Sequence, residues 1–498
     1  MKEVNKRGSV LLYALLIIYV LFEMGISFEQ HKNQPLEGDL ANIVVPSNAY
    51  KVVLQNPLGL EVLLNDSVYA NPNRFFAHYS TYLFFQHIPI LFQKYAGIEP
   101  IDSIYISTAF AKTLIQVFIL YFLSAYISLT LNPFRKKFIL SAAIIAPLFQ
   151  TYGYNVVMGI IDPSISYTFF YAFSFGFLLW FFYPIFKMVH EERNDISIHW
   201  FLLLLVLSFI VSFNSALNPA VVLIVTLLFF GYFLYQRMVR QNLTLNIKFF
   251  NLILKQLPKR ATIMLFFISV LSLYSLYIGM NNSENLWYTI PVIERYYKLP
   301  LGLFSHFTQK LGPSVLLSAL IINYVLVNKR KAKYRDDNLR WVFQIVVVVS
   351  VLYLLLLPLG GYRPYRELII RRDTFLPIWL GMIILYGYSS IYLIQNLKGF
   401  YRKIYMVLVV IISLAFFNAD LSVPNKNKCE KDALKIIAES DKKVVELPEY
   451  CNVLSWIPIT TAQESAINIE LLQLWNVVYD DKLYYYPSEK KFQDYAKP

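Results

Sequence analysis

The sequence predicts an all-α polytopic membrane protein with about eleven transmembrane helices, because each apolar run of roughly 17–25 residues can cross a bilayer. Three observations carry that expectation. Of 498 residues, 57% are hydrophobic and only 15% charged, and the mean hydropathy is +0.48. A soluble domain cannot hide that much apolar surface. The apolar residues gather into runs, and alternate loops between the runs are rich in Lys and Arg. Basic loops mark the cytoplasmic side, so the net charge of +13 does not require nucleic acid as a partner.

Lys2, Lys6 and Arg7 precede the first run, 9–27. It is long enough to span and lacks a small-residue cleavage site, so it reads as an uncleaved anchor with a cytoplasmic N-terminus. A long loop follows, 28–103. Within it, 75–95 is rich in Phe, Tyr and Ile with scattered His, Gln and Lys, the composition of an amphipathic helix lying along the interface, with a further span as the alternative. Further spans are expected near 104–131, 138–153, 165–187, 199–213, 219–236, 261–280, 313–328, 341–360, 375–395 and 404–422. The loops assigned to the cytoplasm are 132–137, 190–198, 236–260, 328–340 and 396–403. They carry Arg135, Lys136, Lys137, Arg237, Arg240, Lys259, Arg260, Lys329, Arg330, Lys331, Lys333, Arg335, Arg340, Arg402 and Lys403.

This orientation leaves three soluble pieces outside: the first loop, a loop near 281–312, and the tail from 423. Residues 1–422 are expected to form the transmembrane domain and 423–498 a small extracytoplasmic α/β domain. The tail mixes helical spacing (Ala433, Leu434, Ile436, Ile437) with strand-forming Val444-Val445-Glu446-Leu447. Cys429 and Cys451 are the only cysteines, which excludes a cysteine-rich metal site. Both fall outside, where thiols usually pair. Spacing alone leaves a disulfide and two buried thiols equally open.

Few acids are placed to do chemistry. Asp39, in Glu37-Gly38-Asp39, opens the first outer loop; its bland reading is a solvated loop acid. Asp162, in Gly159-Ile160-Ile161-Asp162-Pro163-Ser164, sits at the mouth of the fourth span. An acid at that depth is costly and usually functional, although Asp before Pro is also a common helix cap. Arg363, Arg366, Arg371 and Arg372 crowd into the outer loop 361–374 and break the positive-inside pattern. Guanidinium binds phosphate bidentately; a salt-bridge knot with Glu367 and Asp373, or a lipid-headgroup patch, are the alternatives. Arg74, in Asn73-Arg74-Phe75-Phe76, either joins that site or anchors at the interface. His78 and His306 are outside as well, and a lone histidine is more often structural. No P-loop, Rossmann glycine motif, HExxH or GxSxG occurs.

With the Gly38-Asp39 acid beside the first span, a second acid in the second outer loop, many spans and an outer C-terminal domain, the chain resembles the GT-C superfamily of membrane glycosyltransferases. The resemblance implies transfer of a sugar from a polyprenyl-phosphate or -diphosphate donor to a glycan, lipid or protein acceptor, on the outer face of a bacterial cytoplasmic (inner) membrane. It makes Asp39 and Asp162 the catalytic residues, with Asp39 as general base. Donor phosphate would fall to Arg363, Arg366, Arg371, Arg372 and Arg74. Asp162 stands alone where many members of that superfamily pair acids or an acid with histidine, which leaves a metal requirement open; Asp162 and His78, with His306 as a further histidine, are the candidates for a divalent cation (Mg or Mn). The tail lacks a Trp-Trp-Asp motif, which argues against an oligosaccharyltransferase proper. The competing readings are an O-antigen polymerase or ligase, a lipid or glycolipid transporter, and a structural membrane subunit.

Overall fold

The computed structural model describes residues 2–149, 158–241, 257–285, 289–308, 311–329, 337–364, 367–420, 425–448 and 450–487. The helices are α1 (Lys2–Lys32), α2 (Gly38–Val44), α3 (Asn48–Gln55), α4 (Leu60–Asn65), α5 (Phe75–Ala96), α6 (Pro100–Ser128), α7 (Lys136–Ile145), α8 (Ile165–His190), α9 (Ile198–Ser212), α10 (Asn218–Gln241), α11 (Lys259–Met280), α12 (Val292–Thr308), α13 (Leu311–Asn328), α14 (Asp337–Leu356), α15 (Leu376–Asn396), α16 (Gly399–Asp420), α17 (Lys428–Glu439) and α18 (Ala466–Leu474). Two short strands, β1 (Val444–Glu446) and β2 (Leu483–Tyr485), pair in parallel.

Among the described residues, eight helices are long and apolar enough to cross a membrane: α1, α6, α8, α10, α11, α14, α15 and α16. The chain is therefore a mostly helical, multi-pass membrane protein. Three expected spans are not in that set. For 138–153, α7 ends at Ile145 and a 3-10 turn, Ala146–Leu148, takes over. Pro147 lacks an N–H and crowds the preceding turn, so it stops the helix; 150–157 lie outside the described residues. For 199–213, α9 has 15 residues, or about 22 Å at 1.5 Å per residue, short of the roughly 30 Å hydrocarbon core. For 313–328, α13 meets α12 at an 85° bend, the geometry of a broken span or a re-entrant loop. Counting that pair as one span gives nine.

Helix ends are capped across elements. Asp195 accepts the first amides of α11, from Arg260 (2.9 Å) and Ala261 (3.1 Å). Its carboxylate satisfies donors that a helix leaves open at its N-terminus and sits favourably on the dipole.

At the opposite end of the bundle, where α1 finishes and α6, α8 and α15 begin, the first loop and the C-terminal segment pack together. The backbone amides of Lys426 and Asn427 donate to Asn33 O at 3.1 and 3.2 Å, directly beyond α1. Gln93 of α5 donates to Trp475 O at 2.8 Å, and the Trp475 indole N–H donates to Phe85 O at 2.9 Å. Glu430 is the centre of the joint. It is 1% exposed and accepts from Leu36 N (2.8 Å), Leu454 N (3.1 Å) and Tyr105 OH (2.8 Å). Beside it, Cys429 and Cys451 form a disulfide with Cα atoms 6.0 Å apart.

Removing the Glu430 carboxylate would leave two backbone donors and a phenol unpaired in the interior. Each such loss costs about 1–3 kcal/mol. Glu430→Ala should therefore lower the melting temperature and expose 425–487 to limited proteolysis. A variant as resistant as the wild type would show that the joint does not hold the tail.

Candidate functional site

The junction of α1, α6 and α8 is built on buried charge. Glu37, 4% exposed, reaches over the N-terminus of α8 and accepts the amides of Ile165 (3.1 Å) and Ser166 (3.3 Å), together with the Ser166 hydroxyl. Lys112 of α6, fully buried, donates to Gln34 Oε1 at 2.7 Å and to Pro163 O. Burial pushes the Glu37 carboxyl up; Ser166 and Lys112 oppose the rise and neighbouring Asp39 adds to it. Sequence reasoning missed both groups. A Lys inside an apolar run and a Glu two positions before the singled-out Asp were the available signals.

Asp39 lies in the first turn of α2, two residues beyond Glu37. The Trp456 indole N–H donates to its Oδ1 at 3.0 Å. Burial raises its carboxyl above the usual range; Trp456 draws it back, Glu284 raises it further, and Arg74 and Arg371 lower it. Gly38 explains the close approach of the tail. A Cβ there would sit 2.9 Å from Trp456 N and 3.2 Å from Ser455 Cα, closer than backbone atoms tolerate.

Asp162 is buried and held by Arg372 in a two-pronged ion pair, Nε to Oδ2 at 2.6 Å and Nη2 to Oδ1 at 3.0 Å. Its Oδ1 also accepts Ser164 N at 2.8 Å. The expected helix cap is supplied instead by Ser164, which accepts Tyr167 N, and by Glu37 from a distant part of the chain. Gly159 permits this turn: it has φ +47°, and a Cβ would stand 3.1 Å from the Arg372 side chain.

The remaining arginines differ in occupation. Arg371 forks onto Asp373 with two bonds of 2.8 Å and lies 4.7 Å from the Tyr167 ring centroid. Arg363 pairs with Glu284 at 3.3 Å and donates to Asn285 at 3.0 Å. Arg366 lies outside the described residues. The Arg74 guanidinium has no hydrogen-bond acceptor among the described residues, and its Nε is buried. Its guanidinium rests 5.6 and 5.9 Å from the Phe170 and Tyr171 rings. Those rings belong to a π turn of α8, Thr168–Phe173, a widened turn frequent at functional sites.

Asp39, Arg74 and Arg371 therefore share one electrostatic environment, linked through Trp456, Tyr167 and Phe170. Asp162 and Arg372 brace its wall, and Arg363 sits on Glu284 at its edge. His78 is fully buried between Tyr50 and Phe170, at centroid distances of 5.1 and 4.7 Å. Burial and then Arg74 push it down to about 3, so it is neutral. Among the described residues no three His, Cys, Asp or Glu side chains gather to hold a metal ion. His306 stacks on Phe375 and Trp379 in another part of the bundle. Between α8, α10, α14 and α15 lies an apolar cavity of about 230 Å³, lined by residues such as Phe175, Phe182, Phe229 and Trp341. Comparison with family models and with curated proteins finds no match.

Breaking a buried ion pair on one side strands the other charge, at a cost of about 3–5 kcal/mol. Arg372→Ala should destabilise the protein by that order, and Asp162→Asn in the same background should recover part of it. Additive losses in thermal or denaturant unfolding would mean that the two groups do not act as a pair.

Proposed function

We propose that the chain is an integral membrane glycosyltransferase of GT-C type, moving a sugar from a polyprenyl-phosphate donor to an acceptor hydroxyl. The observation that carries this reading is the grouping of a carboxylate and an unpaired guanidinium. Asp39 has one oxygen free of hydrogen bonds among the described residues, and Arg74, without an acceptor, lies close enough to act on its charge.

The chemistry follows from those two groups. Asp39 accepts the proton of the acceptor hydroxyl as its oxygen attacks the anomeric carbon. The bond from that carbon to the donor phosphate breaks, and the phosphate leaves with the bonding electrons and the lipid. Arg74 offsets the charge that grows on it. One displacement inverts the anomeric centre. The raised carboxyl of Asp39 makes it a better base near neutral pH than a free aspartate. Asp162, Arg363, Arg371 and Arg372 are occupied by protein partners, so the reading gives them structural work rather than catalysis or donor binding. A divalent cation has no ligand set among the described residues and is not assigned a role.

Orientation belongs to the same proposal. The tail docks on the far end of α1, which supports an odd number of crossings. The eight long helices, with α7, α9 and the bent α12–α13 pair, would make about eleven, consistent with spans that are short or broken inside a protein core. The disulfide supports an oxidising, outer setting for the tail, and the basic loops support a cytoplasmic N-terminus.

The runner-up is a lipid or glycolipid transporter, favoured by the apolar cavity within the bundle. It has no use for a base at Asp39. Asp39→Asn should abolish transfer from polyprenyl-phosphate sugars while expression and melting temperature hold. Arg74→Ala should weaken binding of the donor by roughly 10- to 100-fold, the size of a lost bond to a charged group. Undiminished transfer by the Asn variant would sink the assignment.

A further inference from the structure

We propose that the C-terminal segment is part of the acid site: Trp456 is the positioning residue of Asp39, delivering an indole N–H that fixes one carboxylate oxygen and leaves the other for the acceptor. This rests on the reading of Asp39 as the base.

The geometry is specific. Trp456 Nε1 donates to Asp39 Oδ1 at 3.0 Å, across a separation of 417 positions. A carboxylate turns easily about its last torsion, so a single directed donor decides where its second oxygen points. The indole is itself fixed. Its ring stacks on Tyr167 at 5.6 Å and 28°, and Tyr167 carries Arg371 at 4.7 Å. Its carbonyl accepts Asn452 Nδ2 at 3.1 Å. The loop that bears it is pinned at Cys451 by the disulfide and at Leu454, whose amide donates to Glu430 at 3.1 Å. Glu430 in turn accepts Leu36 N, three positions before Asp39. The disulfide, the buried glutamate and the tryptophan thus tie the tail to both sides of the Glu37–Asp39 turn. Gly38 is the residue that lets the two backbones meet.

Indole N–H is a donor only, so Trp456 cannot exchange the acceptor's proton; it acts through Asp39. The other charged groups facing Asp39 are Glu37, Glu284, Arg74 and Arg371, and Trp456→Phe alters none of them. That variant keeps an aromatic ring on Tyr167 and removes only the donor.

The test uses the full-length protein and a carbodiimide, which reacts with protonated carboxyls. Labelling of the peptide holding Asp39 is followed by mass spectrometry across pH. Loss of one hydrogen bond to the carboxylate should move the labelling midpoint up by about half to one pH unit in Trp456→Phe. The Cys429→Ser, Cys451→Ser double variant should move it in the same direction. If the Phe variant does not fold, benzothienylalanine at position 456, which has the shape of indole without its N–H, should give the same shift. An unmoved midpoint with normal labelling overturns the proposal. That outcome differs from failure of the functional reading, which would appear as transfer surviving in Asp39→Asn.

Discussion

The contact between Glu37 and the N-terminus of α8 is the constraint on which the end of the bundle where α1 finishes and α6 and α8 begin depends. A buried carboxylate is tolerable only when hydrogen-bonded and balanced by charge. Here two backbone amides, a hydroxyl and Lys112 meet that need. The same contact joins α1 to α8 through a turn only a few residues long. It fixes where Asp39 can lie, because Asp39 follows two positions later. Interactions with charged groups run at about 1.5–3 kcal/mol each, enough to outweigh the local preference of a short loop.

A second layer of charge secures this turn against its neighbours. Arg372 crosses from the loop before α15 to Asp162, and Arg371 is folded onto Asp373 and Tyr167. The C-terminal segment closes the third side through Glu430 and Trp456. Of the charged groups facing Asp39, the Arg74 guanidinium has no hydrogen-bond acceptor among the described residues, and one oxygen of Asp39 accepts no hydrogen bond from them. Among the described residues, Arg363, Arg371 and Arg372 have carboxylate partners and the Arg74 guanidinium has none, which is why the proposal gives the donor phosphate to Arg74. The three described arginines of the 361–374 loop are each braced by a carboxylate, which their residue type and spacing did not reveal.

Much of the architecture was legible because membrane spans announce themselves by length and apolarity, and the eight long helices fall where such runs occur. The three expected spans outside that set are shortened or bent for local reasons: Pro147 ends α7, α9 has 15 residues, and α13 meets α12 at an 85° bend. Asp39, Asp162, Arg74, Arg371 and Arg372 were identifiable by residue type and position. Their partners were not. Trp456 reaches Asp39 from the opposite end of the chain, and no local pattern encodes that meeting. Glu37 was passed over because a glutamate beside a loop aspartate is unremarkable until a helix terminus is found above it. The cysteine pair could be suspected from compartment but not proved, since spacing says nothing of whether sulfurs meet.

The central claim is that the first loop, the start of α8 and the tail enclose one anion-binding acid site. The most direct measurement is an experimental structure of the full-length protein in lipid with a bound polyprenyl monophosphate. The account predicts the phosphate within hydrogen-bond distance of the Arg74 guanidinium, on the side facing Asp39. Phosphate bound elsewhere in the bundle, with Arg74 still unoccupied, would contradict it.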